Sequence, residues 1–425
     1  MDRVWRLTDQ ARVCCHQRVQ VWIMAMGSTG ERIAAYRRRR GLSQAALAGL
    51  VGRSESWLSQ VERGVRSVDR LSVLLDMSRV LHVDVDSLVG RPWDLAPNGS
   101  QEGDDLAGIR NYFARYDQLT GEAQRSDTGP GLRARIVEAH RGYQAAEYQD
   151  VLAGLPALLA EVDVMRHEHD EADPTEDLLA YVYAYVAASK LLVKVGASDL
   201  AMLSADRAAS ASVESGSLVV KGLSAYQVVC ALLRADRADD AEHLAVAMAT
   251  EVERAARSDE LGLVSVAGAL WLIAAIIAAR RTEKFEAWER LNRADRLAQL
   301  LGEDGNHLWT AFGPTNVALH RVSVAAELGD AGEALRAATE IETDRFPEGL
   351  RSRRAQLHLD LAWAQAQRKR DAEATLHLLE AEQVAPQVVH YNVVVRELIR
   401  EMLARGNRSQ TSALDKLAVR ASVLT

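Results

Sequence analysis

The 425-residue chain is 48% hydrophobic and 26% charged, enough apolar material for large cores and two or three domains, which excludes a disordered or collagen-like polymer. Its three cysteines, Cys14, Cys15 and Cys230, allow neither a disulfide framework nor a CxxC metal pair, so a reducing, cytoplasmic setting is expected. The formal charge of −8 hides an asymmetry: residues 1–95 hold 15 arginines against 10 carboxylates while the remainder is net acidic, so the N-terminal quarter is the part suited to a polyanion.

In chain order, residues 1–27 carry arginines and an apolar patch from Val19 to Met26 but no signal-peptide core or cleavage site. They are expected to be an N-terminal extension, an upstream translation start or a mobile, disordered arm, without functional weight. Residues 28–90 parse as five short helices. Ser28 and Glu31 have capping-box spacing at the first. Arg37, Arg38, Arg39 and Arg40 form a basic run whose forked donors suit phosphate, or equally a solvated helix face. Gly41 ends that helix. Ser43 caps a second, Gln44 to Val51, with Leu47, Ala48 and Val51 on one apolar face, and Gly52 allows a tight turn. Ser54 caps the third. Leu58 and Val61 turn that helix inward, leaving Glu55, Ser56, Ser59 and Gln60 on its polar face, with Trp57 either core or surface.

Pro92, Pro97, Asn98, Gly99, Ser100 and Gly103 mark a linker, taken as residues 91–105. From 106 to 425 alanine and leucine dominate, alternating runs are scarce, and Pro174, Pro314, Pro347 and Pro386 separate segments of helical length, so the region reads as helices throughout. Leu261 to Ala279 is uncharged and nearly long enough for a bilayer, but its alanines and glycines favour a buried core helix, and no membrane partner is expected. A repeated grammar runs through five segments: a polar turn, then alanine at Ala201, Ala241, Ala287, Ala334 and Ala374, with a second apolar residue seven later. Twelve residues before these anchors stand the slim Ser189, Val229, Ala275, Val322 and Ala362, and sixteen before stand Tyr185 and Trp271. The anchors are spaced by about 40 to 47 residues.

Two resemblances emerge from these residues. Gly41-Leu42-Ser43-Gln44, Ala48, Gly52, Leu58 and Val61-Glu62-Arg63-Gly64 resemble the XRE-type, lambda-repressor-like helix-turn-helix family, with Val68 departing where many relatives carry proline. The turns Leu328 to Leu335 and Val195 to Ala201 resemble the inter-helix turn of tetratricopeptide repeats, although the spacing here exceeds that family's period. Together they imply an all-α protein: a five-helix lambda-repressor-like DNA-binding head followed by an α-solenoid of tetratricopeptide-like helix pairs. The head resemblance implies that the third helix enters the major groove, with Glu55, Ser56, Ser59 and Gln60 meeting base edges. It places Ser43, Gln44, Arg53, Arg63 and Arg66 on phosphates. Arg37 and Glu62 match the family's internal ion pair between the first and third helices.

One small head reads about half a turn of duplex, so a homodimer on a near-palindromic double-stranded operator is expected, with the acidic repeats supplying the subunit contact. A stripe 18, 11 and 7 residues before each anchor nominates Tyr183, Lys190, Lys194, Arg234, Asn316, Gln356 and Trp363 as lining a concave groove for a peptide or small-molecule effector, the alternative being a solvated inner face. The combination resembles peptide-sensing regulators.

No GxxxxGK[ST], GxSxG or HExxH motif occurs, nor a GxGxxG following a strand, so catalysis is not expected. His167-Glu168-His169-Asp170 reads as a solvated loop rather than a metal site, and Cys230 as packed; no cofactor or metal is anticipated. The expected function is a cytoplasmic, nucleoid-associated transcription regulator, with an interaction scaffold localised to DNA by its head as the competing class.

Overall fold

Among the described residues the backbone forms helices joined by turns and irregular loops, with no strand, in keeping with the alanine, leucine and arginine content. The computed structural model describes residues 29–39, 42–66, 68, 71–81, 88, 102–115, 131–168, 174–235, 237–341, 349–405, 412–421 and 423. The chain splits into two units, residues 1–94 and 95–425. The 1–27 extension, Ser28, Gly41, nearly all of the expected fifth head helix, linker residues 91–101, His169 and Asp170 lie outside the described residues.

The first unit contains α1 (Thr29–Arg39), α2 (Gln44–Leu50), α3 (Glu55–Glu62) and α4 (Leu71–Leu81). Ser43 Oγ accepts from the Ala46 amide at 3.0 Å and Ser54 Oγ from the Trp57 amide at 3.2 Å, satisfying donors that a helix start leaves free. Between them Gly52 takes φ +64, the left-handed conformation that lets α2 stop and α3 start at an angle. Ile33, Tyr36, Leu47, Leu58, Val61, Met77, Leu81 and Leu88 form the core, with Trp57 packed at its edge. Arg32 Nε donates to the Leu88 carbonyl at 2.9 Å and ties the far end of the unit to α1.

The second unit opens with α5 (Glu102–Arg115), which starts inside the segment expected to be linker. Gly103, read as a loop residue, lies in its first turn. Helix pairs follow: α6 (Leu132–Ala145) with α7 (Tyr148–Glu168), α8 (Pro174–Val195) with α9 (Ser198–Glu214), α10 (Leu218–Arg234) with α11 (Ala238–Ala255), α12 (Leu261–Arg280) with α13 (Lys284–Leu301), α14 (Pro314–Glu327) with α15 (Ala331–Ala338), and α16 (Arg351–Gln367) with α17 (Asp371–Val384). Helices α18 (Pro386–His390), α19 (Val393–Ala404) and α20 (Ser412–Arg420) complete it. Pro174, Pro314 and Pro386 open helices rather than merely separate them, because the first turn has no use for their missing amide.

The repeat is written in the backbone. In all six pairs the turn closes with an amide bonding the carbonyl five residues back, at 2.8 to 3.0 Å: Glu147, Ala197, Arg237, Glu283, Asp330 and Arg370 are the donors. This is the Schellman geometry, which calls for a left-handed residue just before the donor. Ala146, Gly196, Thr282, Gly329 and Lys369 supply it, with φ from 59 to 83. The five anchor alanines are fully buried, as are the five slim residues facing them. Ser189 Oγ donates to the Ala201 carbonyl at 3.1 Å, so slim residue and anchor are bonded as well as packed. The pair α6–α7 was not expected, since it bears Val151 where the others carry alanine.

Helices α8, α10, α12 and α14 each pack between the first helices of the neighbouring pairs, and α16, after α14, returns to touch α6. The second unit is therefore a ring of six inner helices wrapped by their outer partners. The seam is held by the Gln149 amide donating to Gln387 Oε1 at 3.1 Å, by Tyr148 edge-on to Tyr391 at 6.1 Å and by Arg351 with Glu147 at 3.8 Å. Thr175–Val195 and Leu261–Arg280 are long and apolar enough to cross a membrane, but each is mostly buried inside this unit. The core-helix expectation for the second is met: Val264 to Leu272 and Ala274 to Ala279 are buried without a break within each run. Where α5, α7, α8 and α9 meet, the buried Asp163 accepts from Tyr112 and from Tyr185, at 2.9 Å for the latter, while Arg207 donates to Tyr185 at 2.7 Å.

Candidate nucleic-acid interface and the interior of the ring

On α3 the apolar Leu58 and Val61 are buried, which forces the opposite face outward: Glu55 and Ser56 are exposed, Ser59 and Gln60 half-buried. The helix is braced from behind. Arg37 Nε and Nη2 donate to Glu62 Oε1 and Oε2 at 2.6 and 2.8 Å, and Arg37 Nη1 donates to the Leu42 carbonyl at 2.8 Å. Burial alone would raise the Glu62 pKa, but hydrogen bonds from Arg37 and Gln44 and the charges of Arg37 and Arg38 outweigh it and hold the carboxyl below its ordinary value. Gln44, expected on phosphate, donates its amide to Glu62 Oε2 at 2.7 Å and belongs to this internal brace. Of the other expected phosphate ligands, Ser43 is exposed at the start of α2, Arg66 is exposed beyond α3, and Arg63 bonds back to the Ser59 carbonyl at 3.1 Å. Arg53 lies over the Trp57 ring at 5.7 Å. The exposed set is polar and chemically varied, suited to donor and acceptor patterns of base edges.

Inside the second unit, the expected groove is the space between the inner helices. Lys194 from α8 lies within electrostatic range of Arg353 from α16 and of Arg234 and Cys230 from α10, and Lys190 from α8 within range of Arg353 and Cys230. Tyr143 from α6 and Tyr226 from α10 share that space, both within electrostatic range of Arg353. Burial first, then Arg353, pushes Lys190 down to about 7; burial, Arg353 and Arg234 push Lys194 down to about 8. Burial raises the phenols, Tyr143 to about 12. Arg234 reaches water and Lys194 is half-buried, yet protein surrounds both closely enough to disfavour their charge. Groups that are enclosed and still wetted line a hollow. Asp360 is the carboxylate within range of Lys194; burial lifts it to about 6 although Gln356 donates to it at 2.8 Å and Ser323 also bonds it.

A strap crosses this interior. The segment between α13 and α14 places Leu308, Trp309 and Ala311 at positive φ of 53 to 55, a conformation that disfavours side chains. Its fixings explain how it persists. Trp309 stacks on His140 with ring centres 3.9 Å apart and meets Tyr183 edge-on at 5.2 Å, and its carbonyl accepts from Lys190 Nζ at 3.2 Å. Phe312 fills the space left by Gly268, where a β-carbon would lie 2.0 Å from the ring. Asp304 accepts from the Thr315 amide at 2.9 Å. Burial and the Lys190 charge hold His140 well below the usual histidine range, so its ring stacks as a neutral group.

Of the nominated groove residues, Lys190, Lys194 and Arg234 converge. Tyr183 is covered by the strap, Gln356 is engaged by Asp360, Asn316 is buried in α14, and Trp363 packs where two apolar clusters meet. Sequence reasoning missed Arg353, three residues before Gln356, and Tyr226, one helical turn before Cys230 on the same stripe; extending the stripe would have found both. The strap carries no periodic signal. Among the described residues no cluster of three metal-ligating side chains occurs.

Residues 29–89 match the family described as "Helix-turn-helix domain". No curated protein matches the chain in sequence. Among solved structures the chain is similar to "Bacillus thuringiensis PlcR in complex with the peptide PapR7 and DNA", at 11% identity and a TM-score of 0.32, over 83% of this chain and 99% of that one.

Proposed function

Taking as premise that residues 29–89 are a helix-turn-helix DNA-binding domain, we propose that the chain is a sequence-specific transcription regulator that binds a near-palindromic operator as a homodimer, with its helical ring accommodating an effector. The observation that carries this reading is the Arg37–Glu62–Gln44 brace, which holds α3 with Glu55, Ser56, Ser59 and Gln60 directed away from the core. A rigid scaffold behind a polar helix is what base-edge recognition needs, because a loosely held helix would lose register on the duplex. Ser43, Arg53, Arg63 and Arg66 are assigned to phosphates, and Gln44 through its position at the start of α2 as well as its bond to Glu62. The dimer follows from affinity: two heads on half-sites about 34 Å apart double the contacts one head can make. In the ring, the convergence of Lys190, Lys194 and Arg234 supports an effector site rather than a solvated inner face.

The test is fluorescence anisotropy of the full chain against the duplex upstream of its own gene and against randomised duplex, together with light scattering. Preference for particular sequences and a two-subunit mass on DNA support the reading. Equal affinity for every sequence, or a single subunit per operator, would overturn it.

A further inference from the structure

The interior holds more positive charge than the protein compensates. Lys190 is 8% exposed, and among the described residues its ammonium donates to one partner, the neutral Trp309 carbonyl. Among the described residues no carboxylate lies within ion-pair distance of Lys190, Lys194, Arg234 or Arg353, whereas many other arginines of this unit do have one, as Arg290 with Glu242 at 2.5 Å and Arg405 with Asp371 at 2.8 Å. Asp360, the carboxylate within electrostatic range of Lys194 among the described residues, is already engaged by Ser323 and Gln356. Cations brought together without a counter-charge disfavour their own charged state, and a bound anion would relieve that cost.

We propose that the hollow is a binding site for a small organic anion carrying at least two negative charges, as carboxylates or as phosphate, held by Lys190, Lys194, Arg234 and Arg353. The fork of Arg353 and the point charges of the two lysines suit a planar carboxylate or a phosphate equally. Tyr143 and Tyr226 offer ring faces and hydroxyls to the uncharged part of such a molecule. Trp309 closes the hollow on the side of α6, and its carbonyl, Lys190's present acceptor, is what the anion displaces or joins. This assignment rests on the reading that the ring accommodates an effector, and gives that effector its chemistry.

The experiment is calorimetry and thermal melting of the full chain in low-salt buffer with citrate, inorganic pyrophosphate and, as control, chloride. At least one of the two multivalent anions is expected to bind and to raise the melting temperature; citrate alone identifies a carboxylate site and pyrophosphate alone a phosphate site. Lys194→Met should weaken that binding by about tenfold or more, the loss of one charge-assisted hydrogen bond, while leaving the anion-free protein at least as stable, because it removes an unmatched cation. The assignment is wrong if neither anion binds at concentrations up to about 10 mM, if binding is undiminished in Lys194→Met, or if that variant is unfolded. Anion binding that leaves operator affinity unchanged would keep the site and sink the sensing reading; an operator affinity that responds to some other effector, with no anion bound, would do the reverse.

Discussion

Gln144 and Asn306, separated by 162 positions, exchange both amide hydrogen bonds, each at 2.9 Å, and so clip the strap to the first helix of the ring. Gln144 is buried while Asn306 is exposed, so the pair is asymmetric in consequence. Asn306→Ala leaves a buried amide with only the Trp309 carbonyl at 3.3 Å and also removes the acceptor for the Ala311 amide. A loss of about 1–2 kcal/mol is expected, measured by chemical denaturation, with faster hydrogen exchange confined to the strap. Unchanged exchange there would show that the clip does not hold it.

The head should be acid-sensitive through Glu62. Its pKa is depressed in the folded state, so its contribution is present above the unfolded carboxylate value and is lost as pH falls through the lower folded value. Glu62→Gln removes the bidentate partner of a largely buried Arg37 and should destabilise the head by about 3 kcal/mol at neutral pH. The gap from the unmodified protein should narrow as the pH is taken below about 4. Melts followed by Trp57 fluorescence test this, and a gap independent of pH would contradict the linkage.

On DNA, Gln60→Ala and Glu55→Ala should each relax preference at particular base pairs by about 1–3 kcal/mol. Arg66→Ala should instead weaken all sequences alike and lower the salt slope by about one. Binding to a library of single-base operator variants at several salt concentrations separates the two patterns. Uniform weakening by Gln60→Ala would move that residue from base to backbone contact.

The six matched turns make a stability prediction that owes nothing to function. Lys369 holds φ 59 in a turn where Gly196 and Gly329 do the same without a β-carbon. Lys369→Gly should therefore stabilise by about 0.5–1 kcal/mol, the left-handed penalty less the entropy glycine loses on folding. Thermal unfolding of the single variant decides it, and a fall in melting temperature would mean that the lysine side chain makes a compensating contact.

Anion binding in the ring should take up protons. With Lys190 near 7 and Lys194 near 8 in the empty hollow, a bound anion raises both, so affinity should fall as pH rises from about 7 to 9. The same depression means that these lysines' contribution to stability of the anion-free protein improves over that range, since the unfolded chain then binds more protons than the native one. Calorimetry in buffers of different ionisation enthalpy measures the uptake; zero uptake would place the charge elsewhere.

Much of this architecture is legible in the residues themselves, for local reasons. The head can be read because Ser43, Gly52 and Ser54 punctuate a corner that tolerates few alternatives, and Leu58 and Val61 orient the helix that follows. The helix pairs can be read because each turn demands a small anchor against a slim partner, as Ala201 against Ser189. What stays hidden is whatever depends on accumulation or on distant pairing. The return of α16 to α6 is the summed rotation of six pairs, none of which encodes it alone. Asn306 has no mark of its partnership with Gln144, and a solvated stripe and an enclosed one look alike until the ring closes around Lys190 and Lys194.

The seam at Tyr148 and Tyr391 has a mechanical consequence. An open coil of helical repeats melts by fraying inward from its two ends, but a hoop has no loose end at which fraying can begin. Loss of any one pair must be shared around the whole circumference, so the body should come apart in a single cooperative event, and a push delivered at one point of the rim should be felt on the opposite side.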